Sequence, residues 1–211
     1  MRRILIWTLS LMFVVCVVAM PAQMQEQPRI PYVSDHPDDP DLAKNFDQFR
    51  ARLGYVSNMV LVTSNAPGIN KAIGDFALEL RAASKVPKQY TNLTILRIAQ
   101  LEGRKYQYLH ELPAARGCGI SQAQIDALPD WRKSGAFDLK QRAVLAYADG
   151  MAEKSGPDDE TVKALSSFFT PAEIVELTTI NGFYVMQARF GNALRVPVEQ
   201  NFDSAKTNPS C

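Results

Sequence analysis

Imidazole and thiol are scarce in this sequence. Two histidines, His36 and His110, and three cysteines, Cys16, Cys118 and Cys211, are spread over 211 residues. An excess of one charge is missing too: 23 Lys and Arg against 22 Asp and Glu leave a formal net charge of +1. The basic residues are scattered, which excludes the concentrated patch that nucleic-acid binding needs. No run alternates apolar and polar with period two over strand length, so a sheet is excluded and the domain is read as all-α. Internal repeats and low-complexity segments are also absent. The acidic stretch around His36 (Asp35, Asp38, Asp39, Asp41) lacks EF-hand spacing. It reads as a solvated turn feeding a helix N-terminus, with a carboxylate cation site as the alternative. No metal site is assigned.

One long apolar run is present, and it lies at the very start. Arg2 and Arg3 precede Ile4–Met20, and small and polar residues follow at Pro21 and Ala22. This is the layout of a secretory signal over residues 1–22, with an uncleaved N-terminal anchor as the alternative. A secreted or periplasmic location follows, and membrane association only if the leader stays attached. Removing Cys16 with that leader leaves Cys118 and Cys211 in an oxidising compartment, either joined in one disulfide or as two free thiols. The expected organisation is an extended arm over 23–37, a helical domain over 38–199 and a C-terminal tail over 200–211.

Within the domain, helix signals recur. Pro40 to Leu53 is a helix stopped by Gly54, and Val56–Thr63 is a short link, helical or extended. A further helix starts after Asn65 and Ala66 at Pro67 and runs to about Ser84, and Pro87 separates it from the next. Ser121 with Gln124, Asp138 with Gln141, and Thr170 with Glu173 form capping boxes that open later helices. Trp131, in a loop from Pro129 to Ala136, is expected to pack on the core. The last long helix reaches about Leu194. Its polar residues Asn181, Tyr184 and Arg189 either face a pocket or satisfy helix–helix hydrogen bonds.

The central stretch runs from Leu93 to Leu128. Leu93, Leu96, Ala99, Leu101, Tyr106, Leu109 and Leu112 recur at three- and four-residue spacing, which predicts one long helix with a single apolar stripe. Pro113 is expected to kink or end it. His110 sits just before that break, with Tyr106 and Gln107 one turn earlier on nearly the same face. A histidine at a helix discontinuity, flanked by a phenol and an amide, is the leading site candidate.

Four blocks carry a family resemblance: LTILRIAQLEGRKYQYLHELPAARG, GISQAQIDAL, FDLKQRAVLAYAD and TPAEIVELTTINGFYVMQARFGNAL. In order and spacing they resemble the carboxymuconolactone decarboxylase-like family, which shares its fold with the alkylhydroperoxidase D-like (AhpD-like) proteins. The resemblance covers about Ile30 to Glu199. It implies an all-helical domain that associates into trimers or hexamers. Hydroperoxidase members place a CxxC pair before the histidine, where this chain has Gly103 and Tyr106. A dithiol mechanism needs two thiols close together and has none there. Decarboxylase-like members keep the histidine after a tyrosine–glutamate pair, and here the pair is Tyr106 and Gln107. A glutamate that many members carry upstream is replaced by Thr91 and Asn92.

The resemblance implies an enzyme without metal or cofactor, acting on a small carboxylated lactone or oxo-acid. His110 would be the proton donor and acceptor, with Tyr106 and Gln107 stabilising an oxyanion. Arg97 or Arg189 would hold a substrate carboxylate, with Asn181 and Tyr184 as further substrate contacts. The alternatives are a catalytically degenerate oligomer that binds or scaffolds, and a thiol-linked redox role through Cys118.

Overall fold

The computed structural model describes residues 27–203, apart from 104 and 201, together with Cys211. The expected leader at 1–22 therefore lies outside the described residues. Among the described residues, no helix is long and apolar enough to cross a membrane. Helices α1 (Pro40–Leu53), α2 (Asn58–Thr63) and α3 (Pro67–Ala83) lead into α4 (Lys88–Leu101) and α5 (Lys105–Gly117). After α6 (Gln122–Ala127) and a 3-10 turn come α7 (Leu139–Glu153), α8 (Asp159–Ser166) and α9 (Pro171–Leu194). No strand occurs among the described residues.

The starts are set by local chemistry. Asp39 accepts from the backbone N–H groups of Asp41 and Leu42, with Pro40 in the first turn, so the acidic stretch after His36 caps α1. No group of His, Cys, Asp and Glu that could hold a metal ion occurs among the described residues. Gly54, at φ 83°, ends α1 in the left-handed conformation that its missing Cβ makes easy. The capping boxes at Ser121, Asp138 and Thr170 all form with their glutamine or glutamate partners. The Val56–Thr63 link is helical from Asn58 onward.

α4 is the axis of the domain. It is buried continuously from Tyr90 to Ala99 and packs against α5, α7 and α9. A helix covered on all sides must satisfy its polar side chains internally. Thr94 donates to Asn181 at 2.6 Å, and Arg97 meets Asp149 at 2.6 Å. Asp149 also receives the Trp131 indole N–H at 3.2 Å and Arg132 at 2.9 Å. Trp131 is buried in the cluster with Leu96, Leu128 and Leu145.

The long central helix is in fact two. Its break falls at Glu102 and Gly103, where Gly103 takes φ 63°, while Pro113 sits inside α5. The reason lies in α9: Asn192 donates to the Glu102 carbonyl and Arg189 to the Glu102 carboxylate, both at 2.9 Å. These contacts bind the exposed C-terminal end of α4. Pro113 costs α5 a single backbone bond, and burial of Leu112, Pro113 and Ala115 carries the helix through it. Beyond α5, Cys118 is disulfide-bonded to Cys211, closing 93 residues of chain, and Lys88 Nζ donates to the Cys211 carbonyl at 3.0 Å.

Candidate active site around His110

His110 lies in the middle of α5, not at a helix end. One turn earlier on the same helix, Tyr106 stacks on the imidazole with ring centroids 4.2 Å apart. Phe202 lies against the ring at 4.1 Å. The imidazole is thus clamped between two aromatic rings, and its orientation is set by its edge contacts. Nε2 is 2.7 Å from Glu199 Oε2.

Glu199 is the residue that local sequence reasoning missed. It follows α9 in the segment Val196–Glu199, held down by burial of Val196 against Val62 and Tyr106. Its other oxygen accepts from the backbone N–H of Asn58 at 2.7 Å and from the Tyr106 hydroxyl at 3.1 Å. Asn58 also ties its side-chain amide to the Pro197 carbonyl at 3.0 Å. Burial pushes the Glu199 carboxyl up. The His110 hydrogen bond and charge and the Asn58 N–H outweigh that, so its net shift is below the ordinary carboxylate value. Burial, reinforced by the Glu199 charge, holds the Tyr106 phenol well above its ordinary value, so it stays protonated and donates. The same two causes push nearby Tyr55 up to about 12. An ionised Glu199 therefore accepts the Nε2 proton and fixes the tautomer that leaves a lone pair on Nδ1. Nδ1 has no hydrogen-bond partner among the described residues.

A cavity of about 380 Å³ opens beside His110, walled by α1, α2, α3, α5 and α9. Phe49, Leu53, Met59, Ile73, Leu78 and Phe183 give it apolar sides. Gln107 lines it and is 7% exposed, and neither atom of its carboxamide has a hydrogen-bond partner. Leaving such groups unmade costs about 1–3 kcal/mol each. Gln107 therefore does not orient His110; Glu199 does. Also in the lining, Arg81 is bonded to the Tyr184 hydroxyl and lies 3.2 Å from Glu111. Burial, then the Glu111 charge, raises the Tyr184 phenol.

Of the expected substrate contacts, Tyr184 lines this cavity, and Arg97, Asn181 and Arg189 do not. Each of the three is committed elsewhere. Arg97 is buried on Asp149, Gln100 and the Leu128 carbonyl, and Asn181 accepts from Thr94. Arg189 holds Glu102 and the Ala152 carbonyl. The three expected as substrate contacts are therefore placed in contacts between elements, away from this cavity. Cys118 is also absent from the cavity wall. It is covered by the disulfide and by Asn92, whose amide donates to its sulphur at 3.4 Å.

No protein-family model matches the chain. An uncharacterized protein of Escherichia coli, YnjA, is 29% identical over 80 residues, which span 37% of this chain and 44% of that relative's length. An uncharacterized peroxidase-related protein from Silicibacter superposes with a TM-score of 0.73 at 18% identity, over 87% of this chain and 97% of that one. The debrominase Bmp8, solved with 2,3,4-tribromopyrrole bound, superposes with a TM-score of 0.66 at 20% identity, over 86% and 94%. The chain thus has the AhpD-like helical fold, and its Cys118–Cys211 disulfide is not a CxxC pair.

Proposed function

We propose that this protein is an acid–base enzyme in which His110, held by Glu199, exchanges a proton with a small organic substrate in the adjoining cavity. Carboxy-lyase chemistry on a carboxylated lactone or oxo-acid is its most specific form. The observation that carries the proposal is the 2.7 Å contact between His110 and Glu199 at the edge of that cavity. The carboxylate expected beside the histidine comes from the segment after α9, and it does what a neighbouring glutamate would do. It fixes the tautomer and stabilises the imidazolium.

In the reaction, the substrate's carbon–carboxyl bond breaks and carbon dioxide leaves. The electron pair stays on carbon, delocalised into the substrate's own carbonyl, and Nδ1, first protonated by solvent to give the imidazolium, delivers that proton to the carbon. Solvent then reprotonates Nδ1. Tyr106 is committed to Glu199, so Gln107 Nε2 is the remaining donor for the developing oxyanion. That a debrominase of this fold binds a brominated pyrrole supports a compact cyclic substrate.

Carbon dioxide release from carboxylated lactones and oxo-acids by the purified domain tests the reading. His110→Ala should abolish turnover, and unchanged turnover sinks the role of the imidazole. The location proposed from the leader is secreted or periplasmic. The disulfide supports an oxidising compartment, and two free thiols in native material would contradict it. Self-association into trimers or hexamers is proposed from the resemblance; Ile69 and Phe76 on α3 offer it exposed apolar surface. Sedimentation equilibrium decides it.

A further inference from the structure

The charged side chains lining the His110 cavity cancel. Lys71 is 2.6 Å from Asp75, and Arg81 is paired with Glu111. Among the described lining residues no cation is left over to clamp a substrate carboxylate. What the wall does hold is unsatisfied amide. Asn45 Oδ1 on α1, Gln187 Oε1 on α9, and both ends of the Gln107 carboxamide on α5 are buried without hydrogen-bond partners. Rotating an amide exchanges its oxygen and nitrogen, so Asn45 and Gln187 alone would not define what they want. Gln107 is different. Both its ends are empty, and either orientation offers one donor beside one acceptor. An apolar residue of similar size would fill this place without leaving polar atoms unpaired. The carboxamide therefore makes sense as half of a pair whose other half arrives with the ligand.

We propose that the cavity binds a ring compound of the lactam class by a neutral edge, an N–H next to a C=O, which Gln107 reads through two parallel hydrogen bonds. A carboxylate presents only acceptors, and a lactone lacks the donor, so both leave one end of Gln107 unpaired. The apolar side chains opposite take the ring face. This names the substrate class of the site and rests on the cavity being where substrate binds. The group held is then the lactam edge, and any departing carboxylate is left unclamped by cations.

Titration calorimetry on the full domain with three probes tests it: isoquinolin-1(2H)-one, its near-isosteric lactone isocoumarin, and its N-methyl derivative, which blocks the donor. The lactam should bind at least about tenfold more tightly than either of the others. Gln107→Leu should erase the preference, bringing the three probes to within about threefold of one another. Its melting temperature should be equal or higher, which separates lost recognition from lost folding. Equal binding of all three probes, a lactam preference that survives Gln107→Leu, or no binding at millimolar concentration each overturns the proposal. Turnover of carboxylated lactones without lactam preference defeats this inference alone. Lactam preference without any turnover defeats only the acid–base reading.

Discussion

Glu199 does two things that can be measured apart. As the partner of His110 Nε2 it fixes which nitrogen carries the lone pair. Glu199→Gln keeps a hydrogen-bonding group there but removes the charge that stabilises the imidazolium. Turnover should fall about 10²–10⁴-fold, the usual span of a general acid–base contribution, with the CD spectrum unchanged. The second effect is on stability. Its carboxyl lies below the ordinary value of 4.5 in the folded protein, so ionisation favours the native state. That contribution is complete above about 4.5, the value in the unfolded chain, and is lost as pH falls through the lower folded value. The melting-temperature gap between wild type and Glu199→Gln should therefore be widest near neutral pH and shrink in acid. A gap independent of pH would show that Glu199 is not ionised in the fold.

Elements of this fold are joined by a few buried polar contacts, and those joints are where substitutions are costly. Asp149 on α7 holds Arg97 of α4, the Trp131 indole and Arg132. Asp149→Ala strands a buried guanidinium and should destabilise the protein by about 3–5 kcal/mol in denaturant titration. Gly150, the next residue, argues against helix propensity. In an open helix Gly→Ala stabilises, but here a Cβ would stand 2.6 Å from the Pro157 Cα. Backbone must shift, and Gly150→Ala should cost about 1–3 kcal/mol.

The helix starts were legible because a capping box spans only four residues, as at Ser121, Asp138 and Thr170. The break between α4 and α5 was misread for a physical reason. Leu101 and Tyr106 keep the apolar rhythm across Gly103, and the Arg189 and Asn192 contacts that set the break come from another helix. Glu199 is 89 residues from His110, and no local pattern joins them. That Arg97, Asn181 and Arg189 face other helices and not the cavity was hidden for the same reason. Asp149, Thr94 and Glu102, which hold them, are 52 or more residues away in sequence, and a polar side chain alone does not show what it bonds.

For the whole molecule, the disulfide ties the last residue to the turn after α5. Cys211→Ser releases a closure of 93 residues, worth about 4–5 kcal/mol in the chain-entropy model. Guanidinium titration should show a lower midpoint for the variant, and reductant should lower the wild type to match. If wild type is insensitive to reductant, the crosslink contributes nothing to stability.

His110 receives both its carboxylate and one of its two flanking rings from residues beyond α9, at 199 and 202. During biosynthesis, α1 to α9 emerge from the ribosome before these two residues do, so the imidazole acquires its partners only after the described helices are made. Cleavage just past Arg195, with reductant present to release the Cys118–Cys211 tether, should accordingly be almost invisible to circular dichroism and yet abolish the proposed turnover.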